Sequence, residues 1–108
     1  MTYTPSGYAI IRSVVPEEPS GYLYKIIGSW DGSFTEGAAW RINSGITSIE
    51  RDGEMLNIHG YSGSIYHVPV VEIRLNTYTL GILRESLDNS PNSKIITTEE
   101  VMGVFKCK

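Results

Sequence analysis

Two histidines, His59 and His67, flank the stretch Tyr61-Ser62-Gly63-Ser64, and their chemistry is the first thing to explain. If the strands around that turn pair so that His59 faces His67, their Cβ atoms lie about 5 Å apart. Two imidazoles at that spacing can share a divalent metal, but a stable site takes three or four ligands. Glu50 or Asn57 would have to complete the shell, so the pattern favours two half-exposed histidines on a solvated face, with no metal. The run Gly60–Ser64 approaches the Gly-x-Ser-x-Gly nucleophile elbow, yet residue 64 is serine where the second glycine belongs. A strand, not a helix, follows it, so Ser62 has no claim as a nucleophile. The turn can still offer amides, hydroxyls and a stacking ring to a small anion or nucleotide. The contact set for such a ligand is His59, Tyr61, Ser62, Ser64 and His67.

A second group of residues suits a different task. In GSWDGSFTEGAAWRINSG, Trp30, Phe34 and Trp40 stand among glycines, with Arg41 beside the second tryptophan. Large aromatics and arginine dominate protein-binding hot spots, which makes these four a partner-binding set. Against this stands the habit of tryptophan to cap the core of a small sheet. The carboxylates Glu17-Glu18 and Glu99-Glu100 lie in a turn and in a helix's first turn, not across a cleft. No glycine-rich phosphate loop precedes a helix.

The elements that must position these residues read mostly as strands. Tyr8–Val15 and Tyr22–Trp30 form a hairpin across the proline-containing turn PEEPSG. Asp52-Gly53 is a strong hairpin signal, and a loop of those two residues pairs Arg51 with Glu54, Ile49 with Leu56 and Thr47 with Ile58. Those six share the core face, and Ile46, Ser48, Glu50, Met55, Asn57 and His59 share the other. For the next strand, IYHVPV, the aliphatic pattern selects Ile58 opposite Val68 and Leu56 opposite Val70, which sets His59 opposite His67. Gly63 then falls in the middle of a three-residue loop, where the last position is the usual one for glycine. Residues 31–40 read as an irregular loop with a short helical turn, and Val70–Asn76 as an extended run.

Thr77–Asn89 is open between helix and strand, because Leu80, Leu83 and Leu87 have helical spacing while Gly81 opposes it. Asn89–Ser93 reads as a loop. Thr97 with Glu100 has the spacing of a capping box and starts a C-terminal helix. Ser20–Ile26 and Ser62–Val68 share Ser-Gly-x-aliphatic-Tyr-x-aliphatic, an echo that turn-into-strand chemistry explains.

The whole is an α+β domain over residues 1–108: mainly antiparallel sheet of about five to six strands in successive hairpins, with one or two short C-terminal helices. A single cysteine, Cys107, and an amino terminus without a basic start or a long apolar run suit a cytoplasmic protein. No apolar run is long enough to span a membrane. The net charge is −3 and the cations are scattered singly, which argues against nucleic acid as a partner. The expected function is a non-enzymatic binding or inhibitor-type protein docking on a protein partner, the kind of accessory protein found in phages and mobile elements. The alternative is a protein that binds or sequesters a small nucleotide or anion on the histidine hairpin. No cofactor is expected, and a homo-oligomer is compatible with a sheet whose edge needs protection.

Overall fold

A computed structural model of the chain describes residues 1–30 and 39–106. The fold is α+β, with eight strands in two mostly antiparallel sheets and two short helices among the described residues. In chain order these are β1 (Thr2–Tyr3), β2 (Gly7–Val14), β3 (Tyr22–Trp30), β4 (Ala39–Ile42), β5 (Ile46–Asp52), β6 (Met55–Gly60), β7 (Ile65–Pro69), α1 (Thr77–Asp88), β8 (Ser93–Ile96) and α2 (Thr98–Val104). One sheet runs β1-β7-β6-β5 and the other β4-β3-β2-β8. Only β1 with β7 is parallel.

The inner faces of the sheets meet in one core. Ile10, Ile26 and Ile96 from one sheet pack with Ile49, Leu56, Ile58, Tyr66 and Val68 from the other, and Val101 of α2 completes the cluster. The reverse face of the second sheet carries Ile11 and Ile27, which Leu75 and Leu83 cover from the α1 side. Among the described residues the outer face of the first sheet has no such cover, and this is where alternation places the histidines.

The hairpin signals were right in kind and displaced in register. Gly53 and Glu54, not Asp52 and Gly53, are the loop residues: Asp52 pairs with Met55, Arg51 with Leu56 and Ile49 with Ile58. Gly53 has φ +64 while Glu54 has no positive φ, which is the pattern of a type II′ turn with glycine first. A slip of one residue on each strand preserves which side chains share a face, so Ile49, Leu56 and Ile58 still enter the core. Ile46 is a correction. A bulge between Ile46 and Ser48 inserts one residue, turns Ile46 inward to 3% exposure and leaves Thr47 outside.

The β6–β7 pairing shifts in the same way. Ile58 faces Tyr66, Leu56 faces Val68, His59 faces Ile65 and His67 faces Asn57. Gly60 N–H donates to Ser64 O and Gly63 N–H to Gly60 O, so the loop is Tyr61-Ser62-Gly63. Gly63 takes its last position with φ +86, the place where a three-residue loop needs glycine. The echo between Ser20–Ile26 and Ser62–Val68 has the same local cause. Gly21 (φ +82) and Gly63 (φ +86) each turn the chain into a strand whose tyrosine, Tyr24 or Tyr66, enters the core.

Thr77–Asp88 is a helix. Asn76 caps it, its Oδ1 accepting the Thr79 N–H at 2.8 Å, and Gly81 lies on the open side, where a Cβ would meet nothing. Thr97 caps α2 as its spacing predicts, accepting the Glu100 N–H at 3.0 Å. The Glu100 carboxylate does not close the capping box back on Thr97; it pairs with Arg12 at 3.2 Å. Strands β1, β4 and β8 were not foreseen. Val71–Asn76 belongs to no strand, and Ile73 O accepts the Tyr8 N–H as the chain crosses toward α1. Among the described residues no helix is long and apolar enough to cross a membrane.

Candidate functional site

The histidines share the outer face of the first sheet, offset by two residues along the ladder rather than opposed. Each has a neighbour of its own: His59 Nε2 lies 2.8 Å from Glu50 Oε1, and His67 Nδ1 lies 2.7 Å from Asn57 Oδ1. The rings are not brought together, because a three-residue loop placed one residue earlier, at Tyr61-Ser62-Gly63, moves β7 two residues along β6 from the expected register. No cluster of His, Cys, Asp and Glu suited to a metal ion occurs among the described residues.

The turn between the histidines lies at the boundary of two concavities. Tyr61 N–H donates to Gly45 O, and the Tyr61 ring covers Gly45 so closely that a Cβ there would lie 2.7 Å from it. The ring thereby belongs to a groove of about 470 Å³ with Tyr22, Tyr24 and Phe105. Ser62, Gly63 and Ser64 line a different pocket, of about 330 Å³. The five-residue contact set expected from the sequence is thus split three ways, and only its two serines meet in one cavity.

That second pocket gathers residues from both predicted sets. With the serines it contains Arg41, from the set assigned to a protein partner, and Tyr3, Asn43, Ser44 and Tyr66, which sequence reasoning did not single out. Strand β4 brings Arg41 opposite Gly28, and its guanidinium sits 4.8 Å from the centre of the Tyr3 ring. A cation over a ring face is held there by the ring's quadrupole. Just past β4, Asn43 imitates the ladder twice over: its N–H donates to Ile26 O, and its Oδ1 accepts the Ile26 N–H at 3.0 Å. The second bond fixes which end of the amide is which. Asn43 Nδ2 is therefore the free end, and it is buried with no hydrogen-bond partner in the protein.

Tyr66 tells the same story from the other sheet. It is fully buried, its ring centroid 5.3 Å from that of Tyr3, and its hydroxyl too has no partner in the protein. Burial pushes the hydroxyl pKa up to about 12 against the opposing pull of Arg41, so the group keeps its proton. Gly60 makes room beside Asn43. A Cβ on it would stand 3.0 Å from both Asn43 Nδ2 and Ser64 Oγ, so a side chain at 60 would occupy the space they face. The described lining of this pocket contains two cationic groups, the Arg41 guanidinium and the Met1 amino terminus, and no carboxylate side chain.

The remaining members of the partner-binding set are dispersed. Trp30 ends β3 on the core side and meets Tyr3 edge-on, with ring centroids 6.2 Å apart. Trp40 is on edge strand β4 and is 43% exposed. Phe34 lies outside the described residues, as does Cys107. The sequence carried one usable signal for the missed residues, the Ser-Gly-x-aliphatic-Tyr echo that marks Tyr66; nothing local marked Asn43. No protein-family model, no curated protein and no solved structure matches this chain.

Proposed function

We propose that this protein binds a small anionic ligand in the pocket formed by Arg41, Asn43, Tyr66 and the Ser62–Ser64 turn, and acts by binding, not by catalysis. The observation that carries the reading is a cavity lined by Arg41, the Met1 amino terminus and the Ser62–Ser64 turn, without a carboxylate side chain in its described lining. Its residues Asn43 and Tyr66 also carry two buried donors, Nδ2 and Oη, that lack partners. Buried polar groups are hydrogen-bonded in the great majority of cases, and each unsatisfied one costs about 1–3 kcal/mol. Two on residues that line one pocket favour a ligand that brings acceptors. The ligand expected on the histidine hairpin is moved to the opposite side of the Ser62–Ser64 turn. A thermal-shift panel of small anions tests this, since a ligand that binds only the folded state raises the melting temperature by mass action. A shift that disappears in Arg41→Gln supports the reading, and no shift with any anion at millimolar concentration refutes it.

A second reading, docking on a protein partner, is favoured by one observation. Trp40 and Ile42 are 43% and 41% exposed on the same face of β4, whose outer edge is unpaired among the described residues. Edge strands with exposed apolar side chains invite association. A cytoplasmic accessory protein of the phage or mobile-element kind would act through such a surface. Substituting Trp40→Glu abolishes partner retention on this reading, and unchanged retention contradicts it.

A further inference from the structure

The groove of about 470 Å³ has a chemistry opposite to that of the anion pocket and stands apart from it. Four aromatic rings from three parts of the chain line it: Tyr22 and Tyr24 of β3, Tyr61 of the β6–β7 loop, and Phe105 at the end of α2. Tyr24 is buried in the core, while Tyr22 and Tyr61 are exposed. Exposed rings gathered in a concavity mark a surface that binds something. Their mutual inclination says what shape they receive. Tyr22 and Tyr24 are tilted by 51° with centroids 6.3 Å apart, and Tyr24 and Phe105 by 78° at 5.6 Å. These rings share no plane, so they make a poor stacking platform for a sugar or a nucleobase. Walls set at an angle to one another suit a rounded group.

The charges select its sign. Glu18 is the one charged side chain in the described lining, which contains no Lys, Arg, His or chain terminus. The β2–β3 turn pins its backbone: Glu18 N–H donates to Val15 O, and Glu18 O accepts the Gly21 N–H. The Glu18 side chain is half-buried and forms no ion pair among the described residues. The neighbouring cations leave it unanswered. Arg12 lies 4.8 Å from the centre of the Tyr22 ring, but Glu100 balances it at 3.2 Å. Lys106, next in sequence to Phe105, is exposed and outside the lining. Arg12 also demonstrates that a ring of this groove takes a cation on its face. A primary ammonium is strongly hydrated and would surrender its water for a single carboxylate. An alkylated ammonium holds water weakly and gains from each ring it touches.

We infer that this groove is a binding site for a compact alkylated ammonium, its alkyl groups against Tyr22, Tyr24, Tyr61 and Phe105 and its charge facing Glu18.

Calorimetric titration of the full chain compares choline with 3,3-dimethylbutan-1-ol, which has the same shape without the charge. Choline should bind about tenfold or more tightly than the alcohol, the worth of a few ring contacts and one carboxylate. Glu18→Gln should weaken choline by about threefold or more and leave the alcohol unchanged. Tyr61→Leu, which keeps an apolar side chain over Gly45, should weaken choline by about the same factor, with far-ultraviolet circular dichroism checking that both variants fold. Arg41→Gln should leave choline affinity unchanged, because Arg41 lines the other cavity. The inference is overturned if the alcohol binds as tightly as choline, or if choline fails to bind at about 10 mM. It is equally overturned if Glu18→Gln leaves choline affinity intact, or if Arg41→Gln lowers it as much as Glu18→Gln does.

Discussion

Replacing a buried tyrosine by phenylalanine ordinarily weakens a protein, and here two such replacements in the core, at Tyr8 and Tyr66, should have opposite signs. The Tyr8 hydroxyl donates to Pro69 O at 2.7 Å and lies 2.9 Å from Thr98 Oγ1. Removing it forfeits these bonds and strands their partners, at a cost of roughly 1–2 kcal/mol. The Tyr66 hydroxyl makes no hydrogen bond within the protein, so its burial is a standing penalty of about 1–3 kcal/mol in the unliganded chain. Tyr66→Phe relieves part of it and keeps the ring contact with Tyr3, and the expected gain is about 1 kcal/mol. Both substitutions delete one oxygen and conserve ring volume, so each controls for the other. Urea unfolding reads the difference directly, because with a slope of roughly 2 kcal/mol/M the midpoint should rise by about 0.5 M for Tyr66→Phe and fall by about 0.5–1 M for Tyr8→Phe. Unchanged slopes would show that compactness is not the cause. If Tyr66→Phe destabilises as much as Tyr8→Phe, the Tyr66 hydroxyl already has a partner and the ground for a ligand pocket is removed. A gain in stability joined to a loss of binding is the trade expected where a site keeps unsatisfied groups for its ligand.

Other expectations follow from the same contacts. Gly45→Ala should cost about 1–3 kcal/mol in the same unfolding assay, because φ is +149 there and the Tyr61 ring occupies the space a Cβ needs. Burial raises the pKa of Tyr66 from 10.0 to about 12, and of Tyr8 in the same direction. The folded chain thus holds these protons more tightly than the unfolded one, so the stability they contribute is complete below pH 10.0 and is lost as the pH climbs toward about 12. Tyr66→Phe should flatten part of that alkaline fall in a pH series of urea midpoints. His59→Ala and His67→Ala should leave anion affinity unchanged by calorimetry, since both side chains lie on the outer face of the first sheet with Glu50 and Asn57. His59→Ala should cost under about 1 kcal/mol, because its contact with Glu50 is exposed to solvent.

Much of the fold was legible because its signals are local. Gly53 and Gly63 announce turns, Thr97 and Glu100 announce α2, and the alternation in β5, β6 and β7 assigns the core face even when the register is displaced. Faces survive because a displacement by an even number of residues returns each side chain to its own side. What escaped was non-local. The parallel pairing of β1 with β7, and the return of β8 beside β2, join segments far apart in the chain, and short edge strands carry almost no pattern of their own. The bulge that turns Ile46 inward is similarly silent in the sequence.

The site was harder to read than the fold for a related reason. His59 and His67 drew notice by residue type, but type says nothing about which face a strand presents to solvent. Arg41 and the Ser62–Ser64 turn were each noticed, with different functions, and only the contact of the sheets puts them in one cavity. Asn43 becomes informative only once its Oδ1 is seen to be occupied by Ile26 and its Nδ2 to be free.

The most direct test of the account watches the orphaned donors themselves. In a nuclear magnetic resonance titration of the full chain with the small anions of the thermal-shift panel, the Arg41 side-chain signals and the Asn43 side-chain amide protons should move with the binding isotherm. The imidazole signals of His59 and His67 should stay in place. Shifts confined to the histidine face, or an Asn43 amide that stays fixed while other signals saturate, would contradict the account.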